Sequence, residues 1–168
     1  MKKLKVIVID DEMLIRKLIR MKMDTKRLNL EVAGEYANGA AALQELREIR
    51  PDIVISDICM PEADGLLFSE ECVKLFPEIK IILVTGYDDF EYARRALKLG
   101  VQDYLTKPIN MDELTYLASD CVRRFDEARK DSFEDREDLL RKLLMYEVND
   151  SGLITEMEHD YCMVLIFE

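Results

Sequence analysis

Asp10, Asp11, Asp57, Thr85 and Lys107 are the side chains of this 168-residue chain whose types and spacing could do chemistry. Asp57 ends the run Ile53-Val54-Ile55-Ser56, in which a short apolar stretch stops abruptly on a carboxylate. With Pro51 behind it, such a run predicts a strand buried on both faces of a parallel sheet. Open sheets of that kind bind ligands beyond the carboxyl ends of their strands, which makes Asp57 the candidate reactive group at the mouth of a crevice. A purely local role as a helix cap fits less well, because the next helix begins near Gly65 and Asp64 is better placed to cap it. Leu4 to Ile9 is a second buried run. It stops on Asp10-Asp11-Glu12, an acidic cluster that can form the other half of a site.

The elements that must position these groups alternate regularly. After the strand over 4–9, the spacing of Met13, Leu14, Ile15, Leu18 and Ile19 predicts a helix. Leu30 to Tyr36 alternates weakly and reads as a strand. Asn38-Gly39 then opens an Ala-rich helix through Ala41, Leu43, Leu46 and Ile49, stopped by Pro51. Leu66 to Phe76 is helical and ends at Pro77, and Ile79 to Thr85 is the fourth strand. Gly86-Tyr87-Asp88-Asp89 leads into a helix through Phe90, Ala93, Ala96 and Leu97, with Gly100 after its end. Val101 to Thr106 is a short fifth strand closed by Lys107-Pro108. Five strands alternating with helices make an α/β fold, and right-handed crossovers favour a flavodoxin-like (βα)5 architecture with a five-stranded parallel sheet in order 2-1-3-4-5. That order brings Asp10, Asp11 and Asp57 together and sets Thr85 and Lys107 on the same rim.

Composition narrows the class of partner. Hydrophobic residues make up 49% and charged residues 35%, the mix of a soluble globular protein, and the net charge is -11. So acidic a chain argues against nucleic acid or an anionic membrane as its partner and favours a divalent cation or a basic protein face. Met1-Lys2-Lys3-Leu4-Lys5 starts like a signal peptide, but Asp10-Asp11-Glu12 cuts the apolar run too short, so a cytoplasmic location is expected. Cys59, Cys72, Cys121 and Cys162 show no CxxC spacing and sit among apolar neighbours, which predicts buried reduced thiols. The methionines at 13, 21, 23 and 111 read as core or helix-face packing.

Over about residues 3 to 125 the chain resembles the receiver domain of bacterial two-component response regulators. The resemblance rests on Asp10-Asp11, on Asp57 followed by Met60-Pro61 and Asp64-Gly65, on Thr85-Gly86, on Tyr104 and on Lys107-Pro108, all in order at strand ends. It implies that Asp57 accepts a phosphoryl group from a phosphohistidine of a sensor histidine kinase. It also implies that Asp10, Asp11 and Asp57 hold Mg²⁺ with the Cys59 main-chain carbonyl, and that Lys107 pairs with the phosphoryl oxygens. Thr85 would donate a hydrogen bond to them, Tyr104 would rotate between outward and inward positions, and the Lys107-Pro108 peptide would be cis. The chemistry is consistent with those roles. A carboxylate attacks an anionic phosphoryl group poorly unless positive charge screens its approach, and a divalent cation held by an acidic trio supplies it. Lys107 can serve as a mobile point charge, and Gly86 leaves room beside it. Crowding three carboxylates should also raise the pKa of at least one of them.

The C-terminal part differs. Residues 1–130 carry a net charge of -3, whereas residues 131–168 carry -8. This divides the chain into a receiver domain over 1–125, an acidic helical linker over 126–152 and, over 153–168, the start of a truncated further domain, where Tyr161 to Phe167 reads as a strand. Asn110 to Lys130 has the apolar face of a packing helix, and Leu139, Leu140, Leu143, Leu144 and Val148 restart a helical stripe. If continuous, this helix runs about 38 residues, or roughly 57 Å, and is a candidate for forming a homodimer; the alternative is a break near Asp131. The motif Tyr87-Asp88-Asp89-Phe90-Glu91-Tyr92-Ala93 with the acidic linker resembles regulators that carry an AraC-type DNA-binding domain. On that likeness, DNA is contacted only through an output domain outside these residues. Two other readings are a Mg²⁺ phosphatase resembling the haloacid-dehalogenase superfamily and an interaction module that is never phosphorylated. The first fits poorly because its two acidic residues stand one apart after the first strand, whereas Asp10 and Asp11 are adjacent and Asp57 follows the third.

Overall fold

The computed structural model describes residues 3–23, 25–60, 65–86, 101 and 103–149. Its strands are β1 (Leu4–Ile9), β2 (Leu30–Tyr36), β3 (Ile53–Asp57), β4 (Lys80–Thr85) and β5 (Asp103–Thr106). Its helices are α1 (Met13–Lys22), α2 (Gly39–Ile49), α3 (Gly65–Leu75) and α4 (Met111–Asn149). The strands form one parallel sheet in the order β2-β1-β3-β4-β5. This is the flavodoxin-like order expected from the alternation, with a C-terminal helix in addition. The helix expected through Phe90 to Leu97, the proposed cap at Asp64 and the strand over 161–167 lie outside the described residues.

Burial follows position in the sheet. β1 and β3 are flanked on both sides and are almost wholly buried, which is why they read as continuous apolar runs. β2 is an edge strand, and its weak alternation matches a mostly half-buried strand that departs from regular pairing between Val6 and Ile7 of β1. Ile7, Ile9, Val54, Ile81 and Leu83 pack with Leu46, Leu66, Phe68 and Cys72 of α2 and α3. Alternate strand residues point to the opposite face, so Val6, Val8, Ile53, Ile55, Ile82 and Val84 line the other layer, where Ile19 of α1 and Leu114, Ala118 and Cys121 of α4 are buried. Each such large side chain contributes about 1.5–3 kcal/mol on burial, so this two-sided core fixes the strand ends firmly.

The helix boundaries have local causes. The Asn38 side chain accepts a hydrogen bond from the Ala41 N–H at 2.8 Å, so Asn38-Gly39 opens α2. Arg50 closes the same helix in the left-handed region at φ 47°, just before Pro51. Asn110 caps α4 by accepting from the N–H groups of Asp112 and Glu113. α4 runs without a break through position 131. The chain divides into two compact units, Met1–Arg124 and Phe125–Glu168. Within the second, Phe133, Leu139 and Leu140 are exposed.

Two expectations about individual residues do not hold. Cys72 and Cys121 are buried thiols whose pKa burial pushes up to about 12, but Cys59 is exposed, because the chain leaves β3 at Asp57 and turns out onto the rim. Met23 is buried, whereas Met13 and Met21 are exposed along with Leu14, since α1 covers the sheet with one face only and these residues stand away from it.

Candidate functional site

The parallel strands all end on one rim, and the register aligns those ends. Ile9 pairs with Ser56, Asp57 with Val84, and Thr85 with Thr106, so the residues that follow β1 and β5 and the last residues of β3 and β4 share one crevice. Asp10, Asp57 and Thr85 are buried there, and Asp11 is exposed. One carboxylate oxygen from each of Asp10, Asp11 and Asp57 lies within 4.8 Å of the others. Oxygen ligands from carboxylates are the donor set that a hard cation such as Mg²⁺ takes, so the residues present fit that ion.

Lys107 completes the group. Its Nζ lies 2.8 Å from Asp57 Oδ2, 3.1 Å from Asp10 Oδ2 and 3.5 Å from Glu12 Oε1. The other oxygen of Asp57, Oδ1, accepts the Cys59 N–H at 3.1 Å, which fixes the orientation of the carboxylate. Asp10 is held as tightly: its Oδ1 accepts the Glu12 N–H at 2.8 Å and its own N–H donates to the Tyr36 carbonyl. Burial pushes the Asp10 carboxyl above its usual range, opposed by the Glu12 N–H and by Lys107, while the charge of Asp57 adds the smallest push. The raised carboxyl expected from crowding is therefore present, but its main cause is desolvation rather than repulsion. For Lys107, burial alone would favour the neutral amine; the hydrogen bonds to Asp57 and Asp10 outweigh it and hold the side chain cationic.

Backbone contacts set the remaining geometry. The Lys107 N–H donates to the Thr85 carbonyl at 2.7 Å, tying the β5 end to the β4 end, and the Lys107-Pro108 peptide is cis. Among the described residues, a Cβ added at Gly86 would meet nothing within 4 Å. Gly65 is the opposite case, because a Cβ there would lie 2.1 Å from the Asp57 carbonyl oxygen. Tyr104 points outward and is 41% exposed. Sequence reasoning placed Glu12 in the acidic cluster without a partner and overlooked Arg16, whose guanidinium reaches back to the main chain of Asp10 and Asp11. The available signal was an Arg one turn into α1, six residues beyond Asp10.

Residues 6–119 match the family model described as the response regulator receiver domain. The chain belongs to the response regulator receiver family. It is 36% identical over 111 residues to the uncharacterized transcriptional regulatory protein YhcZ of Bacillus subtilis, covering 66% of this chain and 51% of that one. The chain thus spans about half the length of that curated relative. Among solved structures, the REC domain of AraT, a response regulator from Geobacillus stearothermophilus, superposes with a TM-score of 0.71 at 34% identity, over 75% of this chain and 98% of that one. A two component transcriptional regulator AraC from Clostridium phytofermentans gives 0.68 at 25% identity, over 77% and 99%. The acidic pocket of Asp10, Asp11 and Asp57 fits the phosphoacceptor site of a receiver domain, and neither the phosphatase reading nor the unphosphorylated module is favoured. Receiver domains are generally non-catalytic signalling modules that bind Mg²⁺ at an acidic site, interact with sensor kinases and often dimerise. No helix among the described residues is long and apolar enough to cross a membrane.

The central place of Lys107 in this receiver carries a stability consequence. In Lys107→Ala, the buried carboxylates of Asp10 and Asp57 lose their shared cation. Breaking a buried pair from one side is costly, and the partial exposure of Lys107 reduces the loss to about 2 kcal/mol. Melting followed by calorimetry without Mg²⁺ should show a lower Tm than wild type. Added Mg²⁺ should raise the Tm of the variant by more than it raises that of wild type, since Lys107 no longer competes for the same oxygens. A smaller rise in the variant would contradict this account.

Proposed function

We propose that Asp57 accepts a phosphoryl group from a phosphohistidine of a sensor histidine kinase and that this modification switches the domain. The observation that carries the reading is the setting of Asp57: a buried carboxylate held by Lys107 on one oxygen and by the Cys59 N–H on the other, beside Asp10 and Asp11. An Asp57 oxygen forms the new bond to phosphorus as the bond from phosphorus to the imidazole nitrogen breaks, the electron pair leaving with the nitrogen. Mg²⁺, held by Asp10, Asp11, Asp57 and the Cys59 main-chain carbonyl, supplies positive charge to the phosphoryl oxygens when bound. Lys107 moves from the unmodified carboxylate to a phosphoryl oxygen, keeping the modified site paired. The Thr85 hydroxyl donates to another such oxygen, and Tyr104 turns inward from its exposed position as Thr85 is drawn toward the site. Because the receptive group and its supporting residues belong to one chain, the domain promotes its own phosphorylation and dephosphorylation, with water as the acceptor in the second reaction.

The decisive experiment is uptake of one phosphoryl group from a small acyl-phosphate donor in the presence of Mg²⁺, read as intact mass. An unchanged mass under conditions that leave the protein folded would overturn the reading. In the cell the domain would act in the cytoplasm and control an output, with transcription the favoured one from the kind of relatives it matches. DNA would then be contacted by an output domain and not by these acidic residues.

Dimerisation through residues 110–148 belongs to the same reading, motivated by Phe133, Leu139 and Leu140 exposed on α4. Apolar groups presented along a helix are stabilised by burial against a second copy. Sedimentation should show an average mass that rises with concentration. A concentration-independent monomer, both with and without a phosphoryl mimic, would end the idea.

A further inference from the structure

The three carboxylates of the acidic pocket are not equally well held. Asp57 and Asp10 are buried, and their side chains accept hydrogen bonds from Lys107 and from the N–H groups of Cys59 and Glu12. Asp11 is exposed, on the short connection between β1 and α1. Among the described residues the side chain that bonds to it is Arg16: Nη1 donates to the Asp10 carbonyl at 2.6 Å and to the Asp11 carbonyl at 3.3 Å. Arg16 lies on the first turns of α1 and is itself half-buried, and its N–H donates to the Glu12 carbonyl, so it is anchored to the segment it organises.

We propose that Arg16 is a positioning residue for the cation site, setting the direction of the Asp11 carboxylate by clamping the main-chain carbonyls of Asp10 and Asp11. A guanidinium can satisfy two carbonyls from one fixed plane, which an ammonium on a flexible stem does less well. The two carbonyls belong to the peptide planes on either side of the Asp11 Cα, and rotation of those planes would swing the Asp11 side chain away from Asp10 and Asp57. Groups behind the ligands of a metal site hold those ligands in place, and losing one typically weakens the metal by about 10- to 100-fold. The clamp and the charge of Arg16 make opposite demands. A nearby positive charge disfavours a cation, so if Arg16 acted only through charge its removal would tighten Mg²⁺.

The inference rests on the proposed Mg²⁺ site and is tested by titration calorimetry with Mg²⁺ alone on wild type, Arg16→Met and Arg16→Lys, with the Tm of each measured without metal. Both variants should bind Mg²⁺ more weakly, Arg16→Met by about tenfold and Arg16→Lys by less. Equal or tighter binding by Arg16→Met would overturn the inference and leave the cation site standing. If Arg16→Met does not fold, Arg16→Lys decides alone: it keeps the charge, so unchanged affinity overturns the clamp and weakened affinity at a wild-type Tm supports it. A wild type that takes up no Mg²⁺ overturns the underlying site, and the inference with it.

Discussion

Asp57→Asn is expected to gain no mass from an acyl-phosphate donor over the time in which wild type is fully modified, a loss of at least about a hundredfold in rate. The amide nitrogen has no free lone pair to attack phosphorus, and the remaining oxygen is a weaker nucleophile than a carboxylate oxygen. Stability should change little by comparison. The carboxylate accepts from Lys107 on Oδ2 and from the Cys59 N–H on Oδ1, and Asn has a single acceptor oxygen to offer, so one of these two bonds is lost at a cost of about 1 kcal/mol. Lys107 keeps Asp10, 3.1 Å away, as a partner. Intact mass reads the first effect and calorimetry the second. Modification of Asp57→Asn at the wild-type rate would transfer the acceptor role to another carboxylate of the pocket.

Gly65→Ala should be the more damaging change to the fold, although it adds one methyl group and removes no charge. A Cβ at this position would lie 2.1 Å from the Asp57 carbonyl oxygen and 3.0 Å from both the Asp57 carbonyl carbon and the Ile58 Cα. These are backbone atoms at the end of a buried strand, with no flexible side chain to move aside. The Gly65 N–H also donates to the Ile58 carbonyl at 3.0 Å, so the same approach is stapled in place. Either α3 retreats from β3, or the strand end shifts, at a cost of about 3 kcal/mol. For a unit of this size that lowers Tm by roughly 10 °C. The displaced backbone is that of Asp57 itself, so the labelling rate should fall by about 10- to 100-fold in the protein that remains folded. A Gly65→Ala protein that melts with wild type and is labelled at the wild-type rate would show that α3 can yield without disturbing the site.

The two variants separate contributions of different kinds, and so do the sources of knowledge about this chain. The residue order was enough to settle the alternation of strands and helices, because a strand covered on both faces must be apolar throughout and a helix must show its own period. It also determined that Asp57 and the Asp10-Asp11 pair stand at strand ends, since an apolar run that stops on a carboxylate is a local event. Asn38-Gly39 as a helix start was legible for the same reason: a cap is made by residues three apart. The tertiary structure alone decided what is decided by neighbours distant in sequence. The predicted strand order already put Lys107 on the rim, but which oxygens its amine takes, on Asp57, Asp10 and Glu12 up to 97 positions before it, is set by how the side chains pack at the strand ends. Crowding pointed to a raised carboxyl, but burial by surrounding elements is its chief cause at Asp10, and no local pattern reports that burial. Cys59, Met13 and Leu14 are apolar by type and exposed by place, since exposure depends on which face of an element the rest of the chain covers. Gly65 meets the site through the main-chain carbonyl of Asp57, and a carbonyl carries no residue identity, so this close approach arises only once α3 has been set against the end of β3.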